Sequence, residues 1–143
     1  MQTSEKTIIA IESTIHASVE KVWDFWTDPD HIIKWNNASA DWHTPRAENY
    51  LRVGGRFLSR MEARDGSSGF DFTGAYTKVE PLKQISYTLD DGRKVQASFV
   101  SMGNVTMVKE TFEAEETNTA EMQRNGWQSI LDNFKKYVET TKI

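Results

Sequence analysis

The sequence predicts an α+β fold in which a curved antiparallel sheet grips one C-terminal helix. Three observations lead there. Asn118 to Lys142 carries Met122, Trp127, Ile130, Leu131, Phe134, Tyr137 and Val138 at the spacings of a single stripe on a 3.6-residue period. From Asp41 to Ala114, strand patterns alternate with turn signals, and Asp91-Gly92 and Gly103-Asn104 mark tight hairpins, so neighbouring strands run antiparallel. Two short helical patterns stand before these strands instead of alternating with them, which separates α+β from a parallel α/β fold.

The elements follow in order. Thr7 to Ile15 is rich in β-branched residues and alternates in burial preference, a first strand. Ser18 is an N-cap, with Glu20 in the first turn, and Val19, Val22, Trp23 and Trp26 make a short amphipathic helix. Asp28-Pro29 begins another, with Asp as cap and Pro at the first helical position; it carries Ile32, Ile33 and Trp35 and stops at Asn36-Asn37. Asp41 to Glu48 reads as a strand whose Pro45 suits an edge or a bulge. Gly54-Gly55 feeds a strand from Arg56 to Arg64, and a loop over Asp65–Gly69 leads to a strand on which Phe70, Phe72, Gly74 and Tyr76 share one face. After Pro81, Gln84 to Leu89 puts Ile85, Tyr87 and Leu89 on one face; Val95, Ala97 and Phe99 alternate next, and Val105 to Ala114 is the last strand. Asn118 is the expected cap of the final helix, with Glu121 as its capping-box partner. The order is β-α-α-β6-α, one domain over residues 1–143, with no internal repeat or linker.

The totals exclude several classes. A chain of 143 residues buries roughly 68–70% of its unfolded surface without staples. Its 17 basic and 21 acidic residues are interspersed, which gives no footprint for nucleic acid. There is no cysteine, so disulfides, thiolate metal sites and cysteine nucleophiles are out. The opening Met1–Lys6 lacks the apolar core of a signal peptide, and no run approaches the ~18 apolar residues of a membrane span. The expectation is a cytoplasmic protein without a membrane partner. The 5 Trp, 7 Phe and 4 Tyr are many large rings for a thin core, a hint of an aromatic-lined pocket.

Several phrases in this order carry a resemblance. They are Val19-Glu20-Lys21-Val22-Trp23, Trp42-His43-Thr44-Pro45, Leu51-Arg52-Val53-Gly54-Gly55-Arg56-Phe57, Gly74-Ala75-Tyr76 before Pro81, Glu110-Thr111-Phe112, and the helix phrase from Gln123 to Phe134. Together they resemble the START-like superfamily of helix-grip proteins (the SRPBCC group), and within it stand-alone bacterial members of the family named for the activator of the Hsp90 ATPase. The resemblance covers essentially the whole chain. It implies a seven-stranded antiparallel sheet wrapped around the long C-terminal helix, with two small helices closing one end. It further implies a cavity of the kind that commonly binds lipids, sterols, polyketides or other apolar molecules. The co-chaperone itself carries a separate N-terminal domain for which this chain has no room, so a chaperone partner is not expected. A few relatives are cyclases, dehydratases or self-sacrificing resistance proteins, and membership alone does not choose among these.

The candidate site is therefore the space between the helix and the concave sheet. Trp127, Ile130, Leu131 and Phe134 face it from the helix; Phe57, Met61, Phe70, Phe72, Tyr76, Tyr87, Phe99 and Met107 are candidates for the facing wall; Trp26, Trp35 and Ile33 stand at the mouth. Any one of these residues is also a candidate for plain core. Glu62 and Glu110 fall within strands, and Glu110 alternates with Val108 and Phe112. A carboxyl turned inward without a partner would have a raised pKa and anchor a ligand; an ion pair or solvent exposure is the blander expectation. Tyr76 and Tyr87 offer hydroxyls to a polar ligand group. Gly126 costs ~1 kcal/mol inside a helix, for which close approach of a facing strand is the first explanation and room for a ligand the second.

His16, His31 and His43 show no helical metal spacing and no nucleophile elbow appears, so no metal, cofactor or catalytic residue is assigned. The leading expectation is binding of an apolar small molecule. The rivals are a cyclase- or dehydratase-type enzyme using Glu62, Glu110, Tyr76 or a histidine as acid–base groups, and a chaperone-interacting domain.

Overall fold

The computed structural model describes residues 7–142; the signal-peptide reading of Met1–Lys6 lies outside them. Seven antiparallel strands form one sheet: β1 (Ile8–Ile15), β2 (Trp42–Asn49), β3 (Arg56–Ala63), β4 (Gly69–Glu80), β5 (Gln84–Leu89), β6 (Lys94–Ser101) and β7 (Thr106–Glu113). Their order across the sheet is β1-β7-β6-β5-β4-β3-β2, so β2 to β7 form a meander and β1 returns beside β7. Helices α1 (Val19–Thr27) and α2 (Pro29–Trp35) join β1 to β2, and α3 (Ala120–Thr140) follows β7. The α+β helix-grip architecture expected from the sequence is the one observed.

Local chemistry sets the boundaries. Ser18 Oγ accepts from Lys21 N at 3.3 Å to open α1, and Asp28 Oδ1 accepts from Asp30 N at 2.9 Å to open α2. Pro45 lies in the edge strand β2, where the pairing with β3 shifts register between His43 and Arg46. The β6–β7 hairpin has the expected two-residue loop: Met102 N donates to Val105 O at 2.7 Å, with Gly103 at φ +77° in the first central position. The β5–β6 hairpin departs from expectation. Gly92 N donates to Leu89 O at 2.8 Å and Leu89 N to Arg93 O at 2.8 Å, which makes a three-residue loop with Gly92 at φ +96°. Asp-Gly serves either turn, and here Gly92 fills the left-handed position that ends the longer one.

Two expectations for α3 are corrected. Its cap is Thr119, whose Oγ1 accepts from Met122 N at 3.1 Å, and Asn118 stays outside the helix. One residue of delay also removes Glu121 from the capping-box position. Met122, placed in the apolar stripe by spacing, is 60% exposed, whereas Gln123 beside it is buried. The first turn of α3 therefore turns a polar side chain inward, for a reason that appears below.

The core is built from the inner sheet face and the second half of α3. Ile11, Ile15, Ile85, Val108, Leu131, Phe134 and Val138 are nearly solvent-free and belong to one cluster with Val22 and Phe25 of α1. Phe134 stands 4.9 Å from Trp26 and 4.7 Å from Trp35 between ring centroids, edge-on to both. Trp35 Nε1 donates to Phe25 O at 2.9 Å, and Asn133 Nδ2 to Trp35 O at 2.7 Å, which ties the small helices to each other and to α3. On the other side, Gln128 Nε2 donates to Glu12 O at 3.2 Å and Lys135 Nζ donates to Thr14 O, which fixes α3 along β1. A second cluster of Ile9, Leu89, Val95 and Phe112 lies under Trp127, whose ring stacks on Phe112 at 3.9 Å. α3 is thus held firmly toward β1 and the small helices. Over the β3–β5 half of the sheet it is held less closely.

Candidate functional site

That separation leaves a cavity of about 550 Å³ between α3 and the concave face. From α3 it is lined by Gln123, Gly126, Trp127, Ile130 and Leu131. Phe57, Ser59 and Met61 of β3, Phe70, Phe72 and Tyr76 of β4, Ile85 and Tyr87 of β5, and Glu110 of β7 form the opposite wall. Trp26 of α1 with Ile32 and Trp35 of α2 closes one side together with Asn36, Glu48 and Asn49; Arg93, Glu115 and Asn118 add polar atoms from the loops.

Strand alternation accounts for the wall. Residues at every second position of β3 turn inward, and β4, paired with β3 at Phe57↔Gly74 and Ser59↔Phe72, presents its own rings alongside. Phe57 packs edge-on to Tyr87 at 4.8 Å and tilted to Tyr76 and Phe72 at 5.4 and 5.8 Å, which holds the aromatic wall in place from within the sheet.

Most residues expected from the sequence meet here: Trp26, Trp35, Phe57, Met61, Phe70, Phe72, Tyr76, Tyr87, Glu110, Trp127, Ile130 and Leu131 all line the cavity. Three do not. Phe99 faces the interior but packs edge-on to Trp23 and Trp26 at 5.3 and 5.5 Å, filled over by α1. Phe134 is fully buried beneath Trp26 and Trp35, where helix and sheet are already in contact. Met107 pairs with Val100 and Thr14 on the outer sheet face, the opposite parity to Glu110. At the mouth Ile32 takes the place expected of Ile33. The glutamates separate as well. Glu62 is on the outer face, where Arg60 Nε approaches its Oε2 at 2.9 Å.

Glu110 is the unusual group. It is only 6% exposed, and its carboxyl has no hydrogen-bond partner among the described residues. It is not sealed in, because no buried side-chain oxygen or nitrogen in the described structure lacks a partner; its oxygens therefore reach the cavity space it lines. Burial pushes its pKa up to about 8. The expected ion pair or solvent exposure is not what is found: its β1 neighbour is Ile11 and its β6 neighbour Ala97, and neither offers charge. The Tyr87 hydroxyl, likewise without a hydrogen-bond partner, is raised well above its usual range by burial and then by the charge of Glu110 and by Tyr76, with Arg93 opposing. Tyr76 is also pushed up by burial, but its hydroxyl is taken: it donates to Asn49 Oδ1, and Asn49 Nδ2 in turn donates to Thr27 O at 2.6 Å.

Gly126 is explained by the cavity. A Cβ built there meets nothing within 4 Å, so no strand approaches it closely, and the missing side chain leaves open space in the chamber. Gln123, not foreseen, closes the entry of α3. Its Oε1 accepts from Glu115 N at 2.8 Å, and its Nε2 donates to Glu115 O and Asn118 O at 3.1 and 2.9 Å. A buried amide in this position satisfies the loop backbone that the helix cap leaves open. Gln123→Ala is expected to lower stability by about 1–3 kcal/mol, read as a lower midpoint in urea denaturation, since the loop amide and carbonyls lose their partner. No local pattern in the sequence marks Gln123, which the first turn of α3 carries inward, or Arg93 and Asn118, which reach the cavity from loops.

One cluster elsewhere brings potential metal ligands together: Asp24, Asp28 and His31, with donor atoms within 4.8 Å of one another. Two of them have structural tasks already. Asp28 caps α2, and His31 stacks on Phe25 at 3.8 Å while its Nδ1 bonds the Tyr137 hydroxyl at 2.7 Å. No helix among the described residues is long and apolar enough to cross a membrane.

Comparison with known proteins agrees with the fold. No curated protein matches the chain. An AHSA1-like protein from Aeromonas hydrophila, solved in solution, is 48% identical, with 96% of this chain and 99% of that one covered and a TM-score of 0.87. A protein from Cytophaga hutchinsonii is 49% identical over 92% of this chain and 91% of its own, with a TM-score of 0.80. A protein from Nitrosomonas europaea is only 18% identical yet superposes with a TM-score of 0.81 over 99% of this chain and 100% of its own, a likeness of fold alone. The family model described as "Activator of Hsp90 ATPase homolog 1-like protein" matches residues 16–139. With nearly the whole fold inside that match, the chain belongs to the Activator of Hsp90 ATPase homolog 1-like family.

Proposed function

We propose that this protein binds an apolar small molecule, of lipid, sterol or polyketide-like character, between α3 and the concave sheet. The observation that carries this reading is the chamber itself. Its volume of about 550 Å³ falls within the ~300–1,000 Å³ usual for small-molecule sites, and rings and aliphatic chains make up most of its surface, with polar side chains such as Ser59, Tyr87, Glu110 and Gln123 set among them. Burial of apolar guest surface at ~25 cal/mol per Å² supplies the affinity. Family membership supports the same reading, since this fold commonly holds ligands.

Titration with a panel of lipids and polycyclic aromatics, followed by Trp fluorescence and amide NMR shifts, tests the proposal. Trp26, Trp35 and Trp127 line the chamber, so a guest there changes their emission. Gly126→Leu is the control. It fills the chamber from the helix side, where a Cβ meets no atom within 4 Å, and gains about 1 kcal/mol of helix propensity. The expected result is at least tenfold weaker binding with equal or higher thermal stability. Unchanged signals across a chemically broad panel would count against a binding role for the chamber.

A further inference from the structure

We infer that the chamber selects guests carrying a neutral oxygen acceptor, such as a ketone, ester or amide carbonyl, held by hydrogen bonds from the Glu110 carboxylic acid and the Tyr87 hydroxyl. This rests on the small-molecule reading above and names the class of guest.

The placement of the two groups comes from sheet register. Glu110 on β7 stands opposite Ala97 on β6, and Ala97 stands opposite Ile85 on β5, two residues from Tyr87. The β6 residue beside Glu110 is a fully buried alanine, and the one beside Tyr87 is the buried Val95. The two are near enough that the charge of one alters the other's titration. Neither has a hydrogen-bond partner among the described residues, and both line the same open space. The Tyr76 hydroxyl on the same wall is by contrast satisfied, through Asn49 to Thr27 O. A carboxyl and a phenol that open onto one chamber without a protein partner are two donors available to a guest.

The charge of the guest follows from what surrounds the pair. The other titratable groups on the cavity wall are Tyr76, Glu48, Glu115 and Arg93; α3 contributes none, only Gln123 and apolar residues, and β1 and β6 face Glu110 with Ile11 and Ala97. The one guanidinium of the wall among the described residues, Arg93, is paired through Nε with Asp91 at 2.8 Å, which offsets its charge toward an anionic guest. A cationic guest would need Glu110 to ionise within the chamber wall, which its burial opposes. Two hydrogen-bond donors and no counter-charge match a neutral acceptor.

Three rigid probes of similar size separate the possibilities: fluorene, 9-fluorenone and 9-aminofluorene, titrated at pH 6.5 and pH 9.5 with Trp quenching and amide shifts as readouts. The expected result at pH 6.5 is 9-fluorenone bound about tenfold more tightly than fluorene, the gain that two modest hydrogen bonds supply. At pH 9.5 most of that preference is lost, because the ionised Glu110 no longer donates. Glu110→Gln keeps a donor that does not titrate, so it retains the preference at both pH values; Glu110→Leu and Tyr87→Phe each reduce it, with amide spectra confirming the fold. Fluorene and 9-fluorenone bound equally at pH 6.5, or 9-aminofluorene bound most tightly, would overturn the inference while leaving the chamber a binding site. Absence of binding by all three would overturn the chamber reading and the inference with it.

Discussion

Glu110→Gln is expected to stabilise the protein, by an amount that grows with pH. The carboxyl is buried without a partner and titrates at about 8 in the fold, against an ordinary value of 4.5 in the unfolded chain. Below the ordinary value both states hold the proton and the residue costs the fold little. As pH rises the unfolded state loses its proton first, so the folded state binds more protons and stability falls by about 1.4 kcal/mol per pH unit. The loss levels off once the folded group also ionises, above about pH 8. Glutamine has the same shape and no titration, so the difference between variant and wild type is small near pH 4 and reaches roughly 4–5 kcal/mol by pH 9. Urea denaturation of both proteins across that range measures it. A constant difference between the two curves would mean that Glu110 is solvated in solution, and a difference that shrinks as pH rises would mean that it is paired with a cation.

Phe134→Ala is expected to cost about 3–5 kcal/mol. Phe134 has no exposed surface, and its ring holds Trp26 and Trp35 in edge contacts at 4.9 and 4.7 Å. Those two indoles form one side of the chamber, so the damage is not confined to stability. The neighbouring packing around Val22, Phe25 and Leu131 is too well fixed to collapse into the space. Denaturation midpoints give the first effect, and broadened indole NMR resonances of Trp26 and Trp35 give the second. A cost below about 1 kcal/mol would mean that α3 is not clamped at this point, and the chamber would lose its fixed wall.

The contrast between Phe134 and Trp127 shows what the sequence reveals and what it withholds. Both lie on the apolar stripe of one helix, and the period that identifies the helix does not say where the stripe leaves the sheet. That depends on α1 and α2 filling the space over Phe99 and Phe134, a tertiary event. Parity along a strand, by contrast, is legible: alternation places Phe57 with Met61 and Glu110 with Val108 and Phe112. The same rule excludes Met107, one residue out of step with Val108; its size was a poorer guide than its position. Caps and hairpins were legible where side-chain chemistry is local, as at Ser18, Asp28 and Gly103. Thr119 and Asn118 offer equivalent caps to a reader of the sequence, and the bonds of Gln123 to Glu115 and Asn118 are what set the helix start. Glu110 could be named as a candidate, but its lack of a partner becomes visible only when β1 and β6 bring Ile11 and Ala97 beside it.

A guest in the space between α3 and the concave sheet is the occupant proposed above. Isotope-filtered NOE spectra of the protein mixed with fluorene test it most directly. Contacts are expected from the probe to the methyl groups of Ile85, Ile130, Leu131 and Met61, which converge on the chamber from sheet and helix. Contacts instead to Val100, Met102 and Ile8, which are exposed outside the chamber, would contradict it.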